Sequence, residues 1–184
     1  MPRTFLIDER TVLRPLAEAD AGALYAVIDK NRAHLRRWLP WLDGTRSRDD
    51  IHAFRLRVAA QENEGLGMTR VIERDRGLCG IVGFNHIDLL NKKAELGYWL
   101  DRQHESQGLC YRGCQQLASH GFGEIGLNRI AIAAAVGNRR SRAVAERLGF
   151  SFEGVLRDAE WLYDHYVDHT VYSMLRREWE RIGC

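Results

Sequence analysis

The stretch Leu127–Phe150 constrains this chain more than any other. It reads LNRIAIAAAVGNRRSRAVAERLGF. Ile130 to Val136 is a short apolar run, mostly alanine, which suits a buried strand that another group can approach closely. Gly137-Asn138 breaks the run. Asn138 then offers a side-chain oxygen to the free N–H groups of a helix's first turn. Ala143, Val144 and Leu148 predict one apolar face of a short helix. Gly149 predicts its end, as a residue able to take positive φ. Ser141 falls within that first turn.

A length of 184 residues makes one domain over 1–184 the natural expectation, and 45% hydrophobic content is enough for a proper core. With 27 basic and 25 acidic residues the net charge is +2, which excludes a nucleic-acid partner recognised by bulk charge. Met1 to Arg14 holds no long apolar segment of the signal-peptide kind, and no apolar run reaches membrane-spanning length. The expectation is a cytoplasmic protein with no membrane partner. Its cysteines, Cys79, Cys110, Cys114 and Cys184, form no CxxC pair and read as reduced thiols. No internal repeat, linker or low-complexity tract is present.

In chain order, Arg3–Asp8 and Thr11–Leu16 predict two short strands about the polar turn Asp8-Glu9-Arg10, with Pro15 ending the second. Ala21, Leu24, Tyr25 and Ile28 fall at helical spacing within Glu18–Lys30. A shorter helix covers Ala33–Leu39 and stops at Pro40. Ser47 caps a longer one from Arg48 to Glu64, with Ile51, Phe54, Leu56 and Val58 as its apolar positions. Met68–Glu73, Cys79–Ile87 and Lys93–Leu100 are three strands whose short connections force an antiparallel meander. Leu109–Phe122 predicts a helix before the 127–150 unit. Ser151–Leu162 and Tyr166–Arg176 close the chain as a hairpin turning at Tyr163-Asp164-His165. This order predicts a mixed α/β fold with one central sheet.

The strand followed by Asn138-x-x-Ser141 and a helix closing on Leu148-Gly149-Phe150 resembles the cofactor site of the GCN5-related N-acetyltransferases, the GNAT superfamily. The order of elements resembles that fold over nearly the whole chain. The resemblance implies a mostly antiparallel mixed sheet, flanking helices, and a splayed strand pair that holds acetyl-CoA, leaving coenzyme A as product. It also implies that the loop before the Leu109 helix cradles the diphosphate, since free amides and the positive dipole end of a helix make an anion site. The equivalent segment here is Glu105-Ser106-Gln107-Gly108-Leu109-Cys110. Gly108 matches the family's central glycine. Glu105 stands in place of Gln or Arg, and Cys110 in place of Gly or Ala. Arg102, Arg112 and Arg139 are candidate phosphate partners, and Ser106 is a candidate helix cap.

By the same resemblance, backbone N–H groups near Tyr98, Trp99 and Leu100 hold the acetyl carbonyl, and Asn138 orients the cofactor. Ser141 is the candidate acid for the departing thiolate, whose thiol has an ordinary pKa of about 8.5. The attacking amine, with a pKa of about 8 for an α-amine or about 10.4 for lysine, must first lose a proton. Glu153, Asp158 and Glu160 lie on the following strand. Phe152 to Arg157 and then Asp158-Ala159-Glu160 resemble the ribosomal-protein N-terminal acetyltransferases of the Rim type, where a carboxylate at the Glu160 position is the base. Trp38-Leu39-Pro40-Trp41, Phe84-Asn85-His86-Ile87 and Gly97-Tyr98-Trp99-Leu100 resemble the same branch. They make Trp38, Trp41, Asn85 and His86 candidates for the acceptor side.

The implied activity is acetyl transfer to a protein N-terminal α-amine of the ribosomal serine or alanine type, in a protein that pairs as a homodimer. Two alternatives stay open at this point. One is a small amine acceptor such as a polyamine, an antibiotic or an aminoacyl-nucleotide, and the other a non-catalytic acetyl-CoA sensor. No HExxH, Walker A or GxSxG motif occurs. His165 and His169, flanked by Asp164 and Asp168, read as a solvated turn, so no metal site is expected.

Overall fold

The computed structural model describes residues 3–183. Its eight strands form one mixed sheet in the order β1-β2-β3-β4-β5-β6-β8-β7. The strands are β1 (Phe5–Asp8), β2 (Thr11–Arg14), β3 (Met68–Arg74), β4 (Gly77–Asp88), β5 (Lys93–Leu100), β6 (Arg129–Ala135), β7 (Ser151–Leu162) and β8 (His165–Leu175). Every neighbouring pair is antiparallel except β5 with β6.

Strand residues alternate between the two faces, so successive apolar side chains feed different cores. On one face Leu78 and Val71 pack with Leu24, Ile28, Leu35, Leu42 and Ile51 beneath α1 (Ala21–Lys30), α2 (Arg32–Leu35) and α3 (Arg48–Asn63). On the other, Ile72, Cys79 and Val82 pack with Leu109, Leu117, Ala145, Leu148 and Trp179, contributed in part by α4 (Leu109–His120), α5 (Arg139–Arg147) and α6 (Arg176–Ile182).

Local signals set several element ends. Ser47 forms a reciprocal capping box with Asp50 at the start of α3. Gly149 takes φ +79° just beyond α5. Three expectations need correction. The Ala33–Leu39 helix shortens to Arg32–Leu35, because the chain closes tight turns on the Leu35 carbonyl ahead of Pro40. On α3 only Ile51 is buried and Leu56 is 59% exposed, since that helix touches the sheet along a narrow stripe. The last strand stops at Leu175, and α6 follows; the Glu178 carboxylate accepts from the Leu175 amide and Trp179 buries its ring.

The feature that positions a site is the β5–β6 pairing. Lys93, Ala94 and Glu95 pair with Arg129, Ile130 and Ala131, and the pairing ends there. Outward, β5 continues on β4 as far as Leu100 with Gly80, and β6 on β8 as far as Ala135 with His169. Both strands are therefore held on their far sides while the backbone groups facing each other lack a strand partner. Such groups call for an occupant able to hydrogen-bond.

Candidate active site

The parted strands open at the start of α4. Gly108 caps that helix at φ +73°, a conformation glycine adopts without cost. A Cβ built there meets nothing within 4 Å, so the space above the loop is open and a side chain would fill it. The first amides of α4 have no intrahelical partner and point out of the helix end. His34, Leu35, Leu100, Glu105, Ser106, Leu109, Cys110, Arg140 and Arg147 wall a cleft of about 280 Å³ here. These observations fit an extended ligand ending in a diphosphate.

Tyr98, Asn138 and Ser141 border both this cleft and a larger one of about 820 Å³, whose walls include Leu96–Trp99 of β5 and Ala133–Ala135 of β6. Asn138 Oδ1 accepts from the Ser141 amide at 3.2 Å, capping α5 as the sequence predicts. The Tyr98 hydroxyl donates to the Ser141 carbonyl at 2.8 Å, and Ser141 Oγ donates to the Tyr98 hydroxyl at 3.2 Å. Burial pushes the Tyr98 phenol well above its ordinary range, so it stays protonated.

The larger cleft carries Trp38, Trp41, Asn85, Glu95, Glu160 and His169. Asn85 is the extra residue of a β-bulge between Phe84 and His86, a device that re-aims a side chain. Its amide lies over Gly97, where a Cβ would come within 2.5 Å of Nδ2. Glu160 Oε2 is 3.5 Å from His169 Nε2. The Tyr163 hydroxyl donates to the Leu39 carbonyl at 2.6 Å, tying the β7–β8 turn to the segment that carries both tryptophans.

An acetyltransferase (GNAT) domain family matches residues 10–151. This chain belongs to the GNAT family. It is 36% identical over 178 residues to the putative ribosomal N-acetyltransferase YdaF of Bacillus subtilis, covering 96% of this chain and 97% of that one. It is 34% identical over 175 residues to the ribosomal-protein-serine acetyltransferase of Escherichia coli, covering 95% and 98%. Among solved structures, RimL, a ribosomal L7/L12 alpha-N-protein acetyltransferase in complex with coenzyme A, superposes with a TM-score of 0.90 at 29% identity, covering 94% of this chain and 98% of that one. The microcin C7 self-immunity acetyltransferase MccE, in complex with acetyl-CoA and AMP, superposes at 0.87 with 28% identity over 92% and 94%. The chain is accordingly an acetyltransferase with the GNAT sheet.

Within this GNAT frame most of the sequence-predicted residues converge. Tyr98, Trp99, Leu100, Glu105, Ser106, Gly108, Leu109, Cys110, Asn138 and Ser141 line the smaller cleft, and Trp38, Trp41, Asn85 and Glu160 the larger. Gln107 stays exposed outside the lining, its side chain on the Gln103 carbonyl, and His86 is exposed outside it too. Gly108, not Ser106, caps α4; Ser106 itself sits at φ +63°. Glu153 is taken up by Arg129 at 2.5 Å and Ser173 at 2.7 Å, and the guanidinium holds its carboxyl down to about 2, so it is no base. Arg112 is bound to Asp8, while Arg102 and Arg139 lie outside both linings. Burial pushes the Cys110 thiol up to about 12, as suits packing beside a ligand rather than nucleophilic attack.

The sequence reading missed His34, Arg140, Arg147 and the placement of His169. His169 stands on β8 against Glu160 rather than in a solvated turn. No motif announces these residues, because they reach the site from three separate elements, His34 from α2, Arg140 and Arg147 from α5, and His169 from β8. Among the described residues no group of three or more His, Cys, Asp or Glu is placed to hold a metal ion.

Proposed function

We propose that residues 1–184 act as one N-acetyltransferase domain that moves acetyl from acetyl-CoA to a protein N-terminal α-amine of the ribosomal serine or alanine type. The observation that carries this is the slot between β5 and β6, with Ser141 on its wall and Glu160 in the adjoining cleft. When bound, acetyl-CoA supplies an activated acetyl thioester and a thiolate leaving group. The amides of Gly108, Leu109 and Cys110 take the diphosphate, with Glu105, Ser106 and Gln107 shaping the loop. Of the β5 residues Tyr98, Trp99 and Leu100, the N–H groups of Tyr98 and Leu100 turn toward the slot and would hold the acetyl carbonyl, where aimed donors stabilise developing negative charge, while the Trp99 N–H turns to β4. Glu160 would draw a proton from the ammonium form of the acceptor. The amine nitrogen would then bond to the acetyl carbon as the C–S bond breaks, Ser141 Oγ would give a proton to the leaving sulfur, and the second proton shed by the nitrogen balances the one Ser141 gives. Asn138 fixes the helix turn that carries Ser141. Trp38, Trp41 and Asn85 border the acceptor, and His86 stands at the rim.

The ribosomal acceptor is supported by the relatives at 36% and 34% identity, whose names carry that activity. A cytoplasmic site of action follows from such an acceptor. No helix among the described residues is long and apolar enough to cross a membrane. The aromatic, roomy acceptor cleft, together with the MccE likeness, favours a second reading in which a small aminoacyl-nucleotide amine is taken.

Thiol release from acetyl-CoA, followed with short peptides bearing N-terminal serine or alanine and in parallel with polyamines and aminoacyl-nucleotides, separates the readings. Peptide acceptors should win by at least about tenfold in kcat/KM. Turnover on small amines alone would replace the first reading by the second. We further propose pairing of two copies along β7, an outer strand that exposes Phe152, Leu156 and Trp161. A monomer by sedimentation at micromolar concentration would end that part.

A further inference from the structure

Glu105 places an acid at the mouth of an anion site, and the structure gives both its oxygens a partner. His34 Nε2, from α2, lies 2.7 Å from Oε1. Arg140, from the first turn of α5, bonds to Oε2. The Glu105 side chain is only 19% exposed, whereas Arg140 is 72% exposed. All three border the cleft that contains Gly108 and the first turn of α4. Arg147 also borders it, with its guanidinium 4.8 Å from the centre of the Tyr111 ring.

A diphosphate on the α4 amides would bring further negative charge to a carboxylate three residues away in the chain. That charge needs a nearby cation, and like charges at short range in a half-buried cleft repel with little screening. Arginine suits the task, since its fixed fork binds phosphate as well as carboxylate. Arg140 has the exposure to turn from one to the other. His34 remains on Oε1 when it does, so the carboxylate keeps a partner.

We propose that Arg140 is the side-chain cation for the diphosphate of coenzyme A, and that Glu105 holds it at the cleft mouth until that diphosphate arrives. This rests on reading the cleft as a coenzyme A site. Glu105 then weakens binding at rest while keeping the cation in position.

The test is calorimetric titration of the full-length protein with coenzyme A, dephospho-coenzyme A and pantetheine, without any acceptor. Arg140→Ala should weaken coenzyme A binding by about 5- to 20-fold, and Glu105→Gln should tighten it by about 3- to 10-fold, both effects shrinking at high salt. The Arg140→Ala loss should persist with dephospho-coenzyme A, which keeps the diphosphate, and vanish with pantetheine, which lacks it. A loss that disappears with dephospho-coenzyme A assigns Arg140 to the 3′-phosphate and overturns the proposal. So does unchanged affinity in Arg140→Ala, or weaker binding in Glu105→Gln, with melting temperatures at the wild-type value. Wild-type protein that binds no coenzyme A at all overturns the reading of the cleft itself, and this proposal with it.

Discussion

The Tyr98 hydroxyl and the Ser141 backbone carbonyl meet at 2.8 Å, joining β5 to α5 over the slot between the parted strands. The same phenol receives the Ser141 Oγ–H at 3.2 Å. Burial keeps Tyr98 protonated, so it orients the serine without competing for charge. Ser141→Ala should lower kcat by about 10- to 100-fold with coenzyme A affinity nearly intact. Tyr98→Phe should cost less in rate and about 1 kcal/mol in stability, the worth of a lost hydrogen bond. Steady-state kinetics beside thermal melts read both. Wild-type kcat in Ser141→Ala removes its role as the acid.

Glu160 and His169 face each other in the acceptor cleft at 3.5 Å. Glu160→Gln keeps the shape and removes the base, so kcat should fall about a hundredfold. His169→Ala leaves the carboxylate free to swing and should cost about 5- to 10-fold in kcat, with the KM for acetyl-CoA unchanged. The double variant should be no slower than Glu160→Gln alone, because the histidine acts through the Glu160 carboxylate. Additive losses would show that His169 works independently.

Glu153 contributes to acid stability. Arg129 and Ser173 lower its carboxyl from the ordinary 4.5 to about 2. A lowered folded-state pKa contributes stability above the unfolded value, and that contribution fades as pH falls from 4.5 toward 2. Glu153→Gln should melt below wild type at neutral pH, with the gap closing over that interval. A gap independent of pH would assign the loss to packing.

The thiols of Cys79, Cys110 and Cys114 are all pushed upward, chiefly by burial, Cys110 to about 12. In a Cys184→Ser background the native protein should react with Ellman's reagent at pH 8 far more slowly than a free thiol, because the thiolate is the reacting form. Three thiols should titrate once it is unfolded. One fast native thiol, blocked by Cys110→Ala, would contradict the inert reading.

What the sequence determined alone was short-range. Ser47 and Asn138 as caps, Gly149 as a stop, Pro15 as a break and the short turns of the meander act over a few residues, and each appears where its chemistry puts it. The helix start at Asn138 and Ser141 was legible for the same reason, whereas its place beside the slot came from the resemblance to the GNAT family. Tertiary structure decided everything that depends on residues far apart in the chain. Glu105 meets His34 and Arg140, 71 and 35 positions away, and Glu153 meets Arg129 across 24. Leu56 is exposed and Trp179 buried because of where the sheet's faces run, which no local periodicity records. His169 entered the cleft by the β7–β8 register, and a one-residue slip would have turned it to the other face.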